Sequence, residues 1–320
     1  LTLDGKLVWH AGQHDVAHEW GHAASPLIAG NAVIQLADGQ EGSFIAAYKV
    51  ATGEQLWKTP RESNGCWSSP ILFTHPVTRR EWIVVNGSGR DSGPGDVTGY
   101  DVVTGAVVWS VAGTSSTPAP TAVVYGDHIL SASGNNGPIL SIHVDEFGRA
   151  AEVWRNPVGG PYVPTGVVVG DLFVQIEDNG KLTCYSANTG KRRWLKRFRG
   201  PFTASLVDLG DQILLASENG ELTFLAVDSE SCQVTATRSL GGPILATPAL
   251  SDRRLYVRRV GSVVCLGPTT EQDSPLAESS DQPNGPTNVQ TSPVLSPTQN
   301  VSSPPRRNPD ASLHYQRASE

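Results

Sequence analysis

The 320-residue chain contains no methionine. Leu1 is therefore expected not to be a translation start, and any signal peptide or lipid anchor would lie upstream of it. Cysteine is scarce. Cys66, Cys184, Cys232 and Cys265 lie far apart with no CxxC or CC pair, which excludes a zinc knuckle and a dense disulfide framework. Charge is thin as well: 24 Lys and Arg stand against 31 Asp and Glu, a net charge of −7, and only 17 % of residues are charged. Without a domain-wide basic field, nucleic acid is not an expected partner. No apolar run approaches the roughly 18 residues of a membrane-crossing helix, so no transmembrane segment is expected. A 3.6-residue apolar stripe is also missing; with 33 Gly and 23 Pro, this disfavours a helical bundle and points to short strands and turns.

What is present is repetition. Trp9, Trp57, Trp109, Trp154 and Trp194 each follow a turn, at spacings of 48, 52, 45 and 40 residues. Four of them stand four residues after a glycine: Gly5, Gly53, Gly105 and Gly190. Ser25, Ser69, Thr121, Thr165, Ser205 and Thr247 form a second series, each opening a short apolar run. A third series closes these runs with Gly-Asn or Gly-Asp, at Gly30-Asn31, Gly126-Asp127, Gly170-Asp171 and Gly210-Asp211.

Within one period the pattern is β throughout. In the clearest copy, Thr165 to Val169 ends at Gly170-Asp171, and Leu172 to Glu177 is a second strand. Asp178-Asn179-Gly180 is a hairpin signal, Lys181 to Ser186 a third strand, Asn188-Thr189-Gly190 a turn, and Lys191 to Phe198 a fourth strand. Four antiparallel strands per period predict an all-β propeller of four-stranded blades. Runs such as Val167-Val168-Val169 are apolar on both faces, as a sheet between two neighbours requires. The blades are placed at about 23–61, 66–113, 117–157, 161–199 and 202–240, with a partial blade at 243–267. Residues 1–9 read as the last strand of an earlier blade. Nine of the 23 prolines fall in the final 53 residues, so 268–320 is expected to be a disordered Pro/Ser-rich tail.

Three turns carry more specific information: Ala47-x-x-x-Ala51-Thr52-Gly53-x-x-x-Trp57, Asp101-x-x-Thr104-Gly105-x-x-x-Trp109 and Asn188-Thr189-Gly190-x-x-x-Trp194. They resemble the tryptophan-docking motif of the pyrroloquinoline-quinone-like (quinoprotein-type) propeller repeats, over residues 1–267. The resemblance implies that Thr52, Gly53, Thr104, Gly105, Thr189 and Gly190 form turns on which the blade reverses. It also implies that the five indoles of the first series lie flat on the next blade, each covering on the order of 150–250 Å². Lys49 and Ser186 replace the usual Asp, the blade at 202–240 has no docking Trp, and Gly148 and Trp154 are six apart; the wedge is expected to be weaker in those last two blades. The chain looks closer to the non-catalytic branch of the family, which includes the outer-membrane-assembly lipoprotein, than to the enzymes, and closest to bacterial PQQ-like repeat propellers. This implies about six blades of an eight-bladed ring, no cofactor and no catalytic residues. It also implies a periplasmic or cell-envelope scaffold whose protein partners bind the ring face or the inter-blade loops.

The alternative within the family is an alcohol or sugar dehydrogenase using pyrroloquinoline quinone with calcium, which needs carboxylates converging on the ion. Candidates at blade-tip turns are Asp38, Glu41, Asp91, Asp96, Asp178 and Glu218, although Asp and Asn also occupy turns for conformational reasons. A third reading is metal-dependent hydrolysis through His18-Glu19-Trp20-Gly21-His22, which satisfies HExxH. That motif works only on a helix, and Gly21 with the following Ala23-Ala24-Ser25-Pro26 leaves no room for one. His10, His14, His18 and His22 recur every four residues and are the candidate ligands for an adventitious ion. Asn86 to Gly95 looks like a phosphate cradle but lacks Gly-Lys-Ser/Thr, and reads as a long hairpin loop. Lys191-Arg192-Arg193 with Lys196, Arg197 and Arg199 reads as a solvated outer edge or a partner-docking patch. Trp20, Trp67 and Trp82 lie outside the docking register, Trp67 being placed either to line the ring face or to pack in the core.

Overall fold

The computed structural model describes residues 1–12, 16–18, 21–89 and 93–267. The apolar runs and Gly-Asn or Gly-Asp turns of each period fold into one antiparallel meander. The first contains β1 (Leu27–Ala29), β2 (Ala32–Ala37), β3 (Phe44–Lys49) and β4 (Gln55–Pro60); the second β5 (Ile71–Thr74), β6 (Glu81–Asn86), β7 (Asp96–Asp101) and β8 (Val107–Ala112). The third holds β9 (Val123–Tyr125), β10 (His128–Ala132), β11 (Ile139–Val144) and β12 (Ala150–Asn156); the fourth β13 (Val167–Val169), β14 (Leu172–Ile176), β15 (Lys181–Ser186) and β16 (Arg192–Arg197). The fifth comprises β17 (Val207–Asp208), β18 (Ile213–Ala216), β19 (Glu221–Val227) and β20 (Cys232–Ser239); the last has three strands, β21 (Ala249–Ser251), β22 (Arg254–Arg259) and β23 (Ser262–Leu266). This is the all-β propeller that the repeats predicted.

The core is a series of apolar layers, one between each pair of neighbouring sheets. Alternation along a strand divides its side chains between two layers. In β14, Leu172, Val174 and Ile176 join Ile213 and Leu215 of the next sheet, while Phe173 joins Leu130 and Ile139 of the preceding one. Val167 and Val169 likewise face one way and Val168 the other. In β18, Ile213 and Leu215 belong to one layer, and Leu214 and Ala216 to the next. Each fully buried Leu, Ile or Val contributes about 1.5–3 kcal/mol, so both faces of every interior sheet are held.

The outer hairpins share a device that periodicity does not reveal. In the five four-stranded sheets the pairing of the third and fourth strands shifts register once, between Ala47/Tyr48, Gly99/Tyr100, Ser141/Ile142, Cys184/Tyr185 and Phe224/Leu225. The unpaired residues opposite are Leu56, Val108, Val153, Arg193 and Thr235, and the first four immediately precede Trp57, Trp109, Trp154 and Trp194. A bulge bends its strand and re-aims the following side chain. Here the indoles of Trp57, Trp154 and Trp194 reach the following sheet. In the fifth sheet Ala236 occupies the corresponding place.

One expectation is corrected. Residues 1–9 form no strand, and Leu1, Leu3, Leu7 and Val8 are exposed. Instead, the segment that follows covers the first sheet, with Trp9, Ala11 and Val16 against Phe44, Ala46 and Tyr48. The expected tail at 268–320 lies outside the described residues.

Candidate functional site at the hub

The Ser/Thr series proves to be one connected relay. The backbone N–H of Ser25 donates to Ser69 Oγ (2.9 Å), Ser69 N–H to Thr121 Oγ1 (3.1 Å) and Thr121 N–H to Thr165 Oγ1 (3.0 Å). Thr165 N–H then donates to Ser205 Oγ (2.9 Å), and Ser205 N–H to Thr247 Oγ1 (3.0 Å). Each hydroxyl thus satisfies a backbone donor at the start of the preceding sheet, where no strand partner is available. The relay fixes the innermost edges of six consecutive sheets in equivalent positions.

Two residues upstream of the relay stand Ala23, Trp67, Ala119 and Val163, again equivalent to one another. Together with Thr117 and Tyr162 they line a predominantly apolar cavity of about 350 Å³. Trp67 also carries the His18 imidazole edge-on, with ring centroids 4.8 Å apart and planes at 89°. The Tyr162 wall is pinned by Asp178, whose carboxylate accepts the Tyr162 N–H at 2.7 Å. Burial raises the Asp178 pKa despite that bond. An apolar concavity with few polar groups is the usual form of a binding site.

The indoles tie the outer ends of the sheets together. Trp9 Nε1 donates to Val50 O (2.7 Å), Trp57 Nε1 to Val102 O (3.1 Å), Trp154 Nε1 to Ala187 O (2.8 Å) and Trp194 Nε1 to Asp228 O (2.8 Å). A Cβ on Gly105 would lie 2.3 Å from the Trp57 ring, and the backbone there has φ +71°, so only glycine fits beneath the indole. Gly53 under Trp9 and Gly190 under Trp154 repeat this arrangement. Thr104 Oγ1 donates to Asp101, Thr52 Oγ1 accepts from the Glu54 N–H, and Thr189 Oγ1 from the Lys191 N–H. Trp109 departs from the series. Its ring lies on Gly99 of its own sheet, and its buried Nε1 has no hydrogen-bond partner among the described residues.

A family model described as "Outer membrane protein assembly factor BamB" matches residues 2–146 and 141–235. The chain belongs to this family. No curated protein matches it significantly. Among solved structures, the crystal structure of BamB from Moraxella catarrhalis superposes with a TM-score of 0.58 at 17 % identity, covering 75 % of this chain and 70 % of that one; the likeness establishes the shared propeller fold.

Within this BamB-like frame the candidate carboxylates find separate partners. Asp38 is buried and receives the Arg61 guanidinium at 2.9 and 3.0 Å, while Arg61 also donates to the Tyr100 hydroxyl. Burial disfavours the Arg61 charge, but Asp38 holds it ionised. Asp96 accepts from Ser110, and Glu218 from Thr203. Glu41 is exposed and Asp91 lies outside the described residues. Among the described residues no three His, Cys, Asp or Glu side chains are placed to hold a metal ion.

Three members of the histidine series, His10, His18 and His22, are described. His10 is exposed, His18 lies on Trp67, and His22 Nε2 is 3.0 Å from Val16 O. The described residues 16–18 and 21–22 are not helical, and His14, Glu19 and Trp20 lie outside the described residues. Three features escaped the sequence reading: Tyr162 in the cavity, the Arg61–Asp38 pair, and Trp82 between two sheets. Asp38 and Trp82 stood out singly in the sequence, but their partners did not, and Tyr162 carried no signal of its own. Among the described residues no helix is long and apolar enough to cross a membrane.

Proposed function

We propose that this BamB-like propeller is a non-catalytic interaction scaffold of the cell envelope. It engages protein partners at the hub and takes part in outer-membrane protein assembly. The observation that carries this reading is the apolar cavity built from equivalent positions of four consecutive sheets, with Trp67 and Tyr162 in its wall. Aromatic side chains in a concave, half-buried setting make effective anchors for a partner's apolar residues. Membership of a family described as an outer membrane protein assembly factor supports the cellular role.

The test is genetic and biochemical. A strain lacking the protein should have a reduced β-barrel protein content in its outer membrane. Wild-type protein should restore it, and a Trp67→Ala/Tyr162→Ala variant that is folded and localised normally should not. Full rescue by that variant would remove the hub from the proposal, and recovery of the protein in the cytosolic fraction would remove the envelope role. Reduction of a dye by protein reconstituted with quinone and calcium, in the presence of alcohols or aldoses, would replace the scaffold reading with a dehydrogenase.

A further inference from the structure

We propose that the outer edge of the fourth sheet is a docking strand for an acidic, extended polypeptide segment. The proposal builds on the scaffold reading and names one surface and one partner chemistry for it. Six cations fall within residues 191–199: Lys191, Arg192, Arg193, Lys196, Arg197 and Arg199, in a chain of net charge −7. No acidic residue occurs between Asp178 and Asp208. All but Lys196 are exposed, and none forms an ion pair among the described residues.

Protection of a free edge is the simplest reason to place cations there. The other blades argue against it. In the equivalent outer strands, β4 carries one Lys, β8 has no charged residue and β20 one Arg, while in β12 Arg155 is neutralised by Glu152. Those edges are kept without a cationic stripe, so the stripe on β16 has a separate use.

Two further observations shape the partner. β16 is the terminal strand of its sheet, hydrogen-bonded to β15 alone, so its outward N–H and C=O groups can pair with one more strand. At its start a cavity of about 320 Å³ opens between the third and fourth sheets. Lys191 and Arg192 stand on one side of it, and Val158 and Tyr185 supply apolar walls. A socket with two cations beside an apolar wall suits an acidic side chain next to an aliphatic one. Cations strung along a single strand match a linear polypeptide better than the plane of lipid headgroups.

The probe is a fluorescently labelled eight-residue peptide of alternating Glu and Val, followed by anisotropy with the full chain. Saturable binding is expected, weakened at least about tenfold by the variant Arg192→Glu/Arg193→Glu/Arg197→Glu and by 0.5 M salt. A peptide N-methylated at every amide, which blocks both of its hydrogen-bonding edges, should not bind, and neither should a Lys/Val peptide. These surface changes should leave the circular dichroism spectrum and melting temperature unaltered. The proposal is overturned by absence of saturable binding, by equal affinity of the charge-reversal variant, by equal binding of the N-methylated peptide, or by preferential binding to vesicles containing anionic phospholipid. The hub variant Trp67→Ala/Tyr162→Ala should still bind the peptide, which separates failure of the edge from failure of the hub.

Discussion

The Trp82 indole on β6 lies under Gly148 of the following sheet, where a Cβ would meet the ring at 2.8 Å. At Gly105 and Gly190 this position beneath a turn glycine is filled by an indole from the fourth strand of the preceding sheet, Trp57 and Trp154. Here Trp109 is withdrawn onto Gly99, and an indole from the second strand takes the place. Trp82 is 1 % exposed, stacks on Phe73 at 5.7 Å, and carries the Arg80 guanidinium over its ring, whose Nη1 donates to Phe147 O. The irregular third hairpin is therefore held against the second sheet by an indole from a different strand.

Gly148→Ala combines left-handed backbone strain at φ +85° with a clash against Trp82, and should destabilise by roughly 2–4 kcal/mol. Gly126→Ala, at φ +59° with nothing within 4 Å of the new Cβ, should lose only about 1–2 kcal/mol. Urea denaturation of the two variants checks the difference; equal losses would contradict the clamp.

The relay hydroxyls make a graded prediction. Thr121→Val leaves the half-buried Ser69 N–H without an acceptor and should cost about 1–3 kcal/mol. Thr247→Val, at an exposed position, lets water replace the lost acceptor for Ser205 N–H and should cost well under 1 kcal/mol. Thermal unfolding of both variants at equal concentration gives the comparison.

The Asp38–Arg61 pair has side-chain exposures of 0 and 5 %. Asp38→Asn should destabilise by about 3–5 kcal/mol, because it abandons a buried guanidinium. Removing both charges with Asp38→Leu/Arg61→Met should recover much of that loss, a non-additivity that a double-mutant cycle reads directly.

Burial pushes the Cys66 and Cys184 thiols up to about 12 and raises Cys232 as well, whereas Cys265 is exposed. The nucleophile is the thiolate. Iodoacetamide at pH 8 should therefore label Cys265 in the native protein, and the other three only after denaturation, as peptide mass spectrometry would show.

Asp178 supplies a pH signature. Its folded pKa is raised by burial, so its contribution to stability is complete below the ordinary carboxylate pKa and is lost as pH rises through the folded value. Asp178→Asn, which can still accept the Tyr162 N–H, should gain in melting temperature relative to wild type between pH 3 and pH 7. A difference independent of pH would show that burial of the charge is not the governing effect.

The propeller was legible because its signals recur: a Thr-Gly turn, an indole four residues later and a hydroxyl before each inner strand are local patterns that repetition raises above coincidence. Trp82 was not legible because it occurs once and stands on a strand that carries no indole in the other sheets. The Asp38–Arg61 pair joins residues 23 apart on different loops, and nothing in either neighbourhood announces the other. The bulges before Trp57, Trp109, Trp154 and Trp194 are properties of backbone pairing and leave no mark in composition. The hub cavity was half visible, since Trp67 stood out as an aromatic without a place in the series, while Tyr162 became its neighbour only when the inner strands converged.

The hydroxyl relay gives the ring a direction. The second to fifth sheets each offer an amide to the successor and a side-chain oxygen to the predecessor, so neighbouring units meet through the same plug and socket. A duplicated period inserted at any junction would find a matching contact on both sides without a single compensating change. Polygons of different order can arise from such a chain by copying alone, while the surfaces that choose partners diverge freely on the rim.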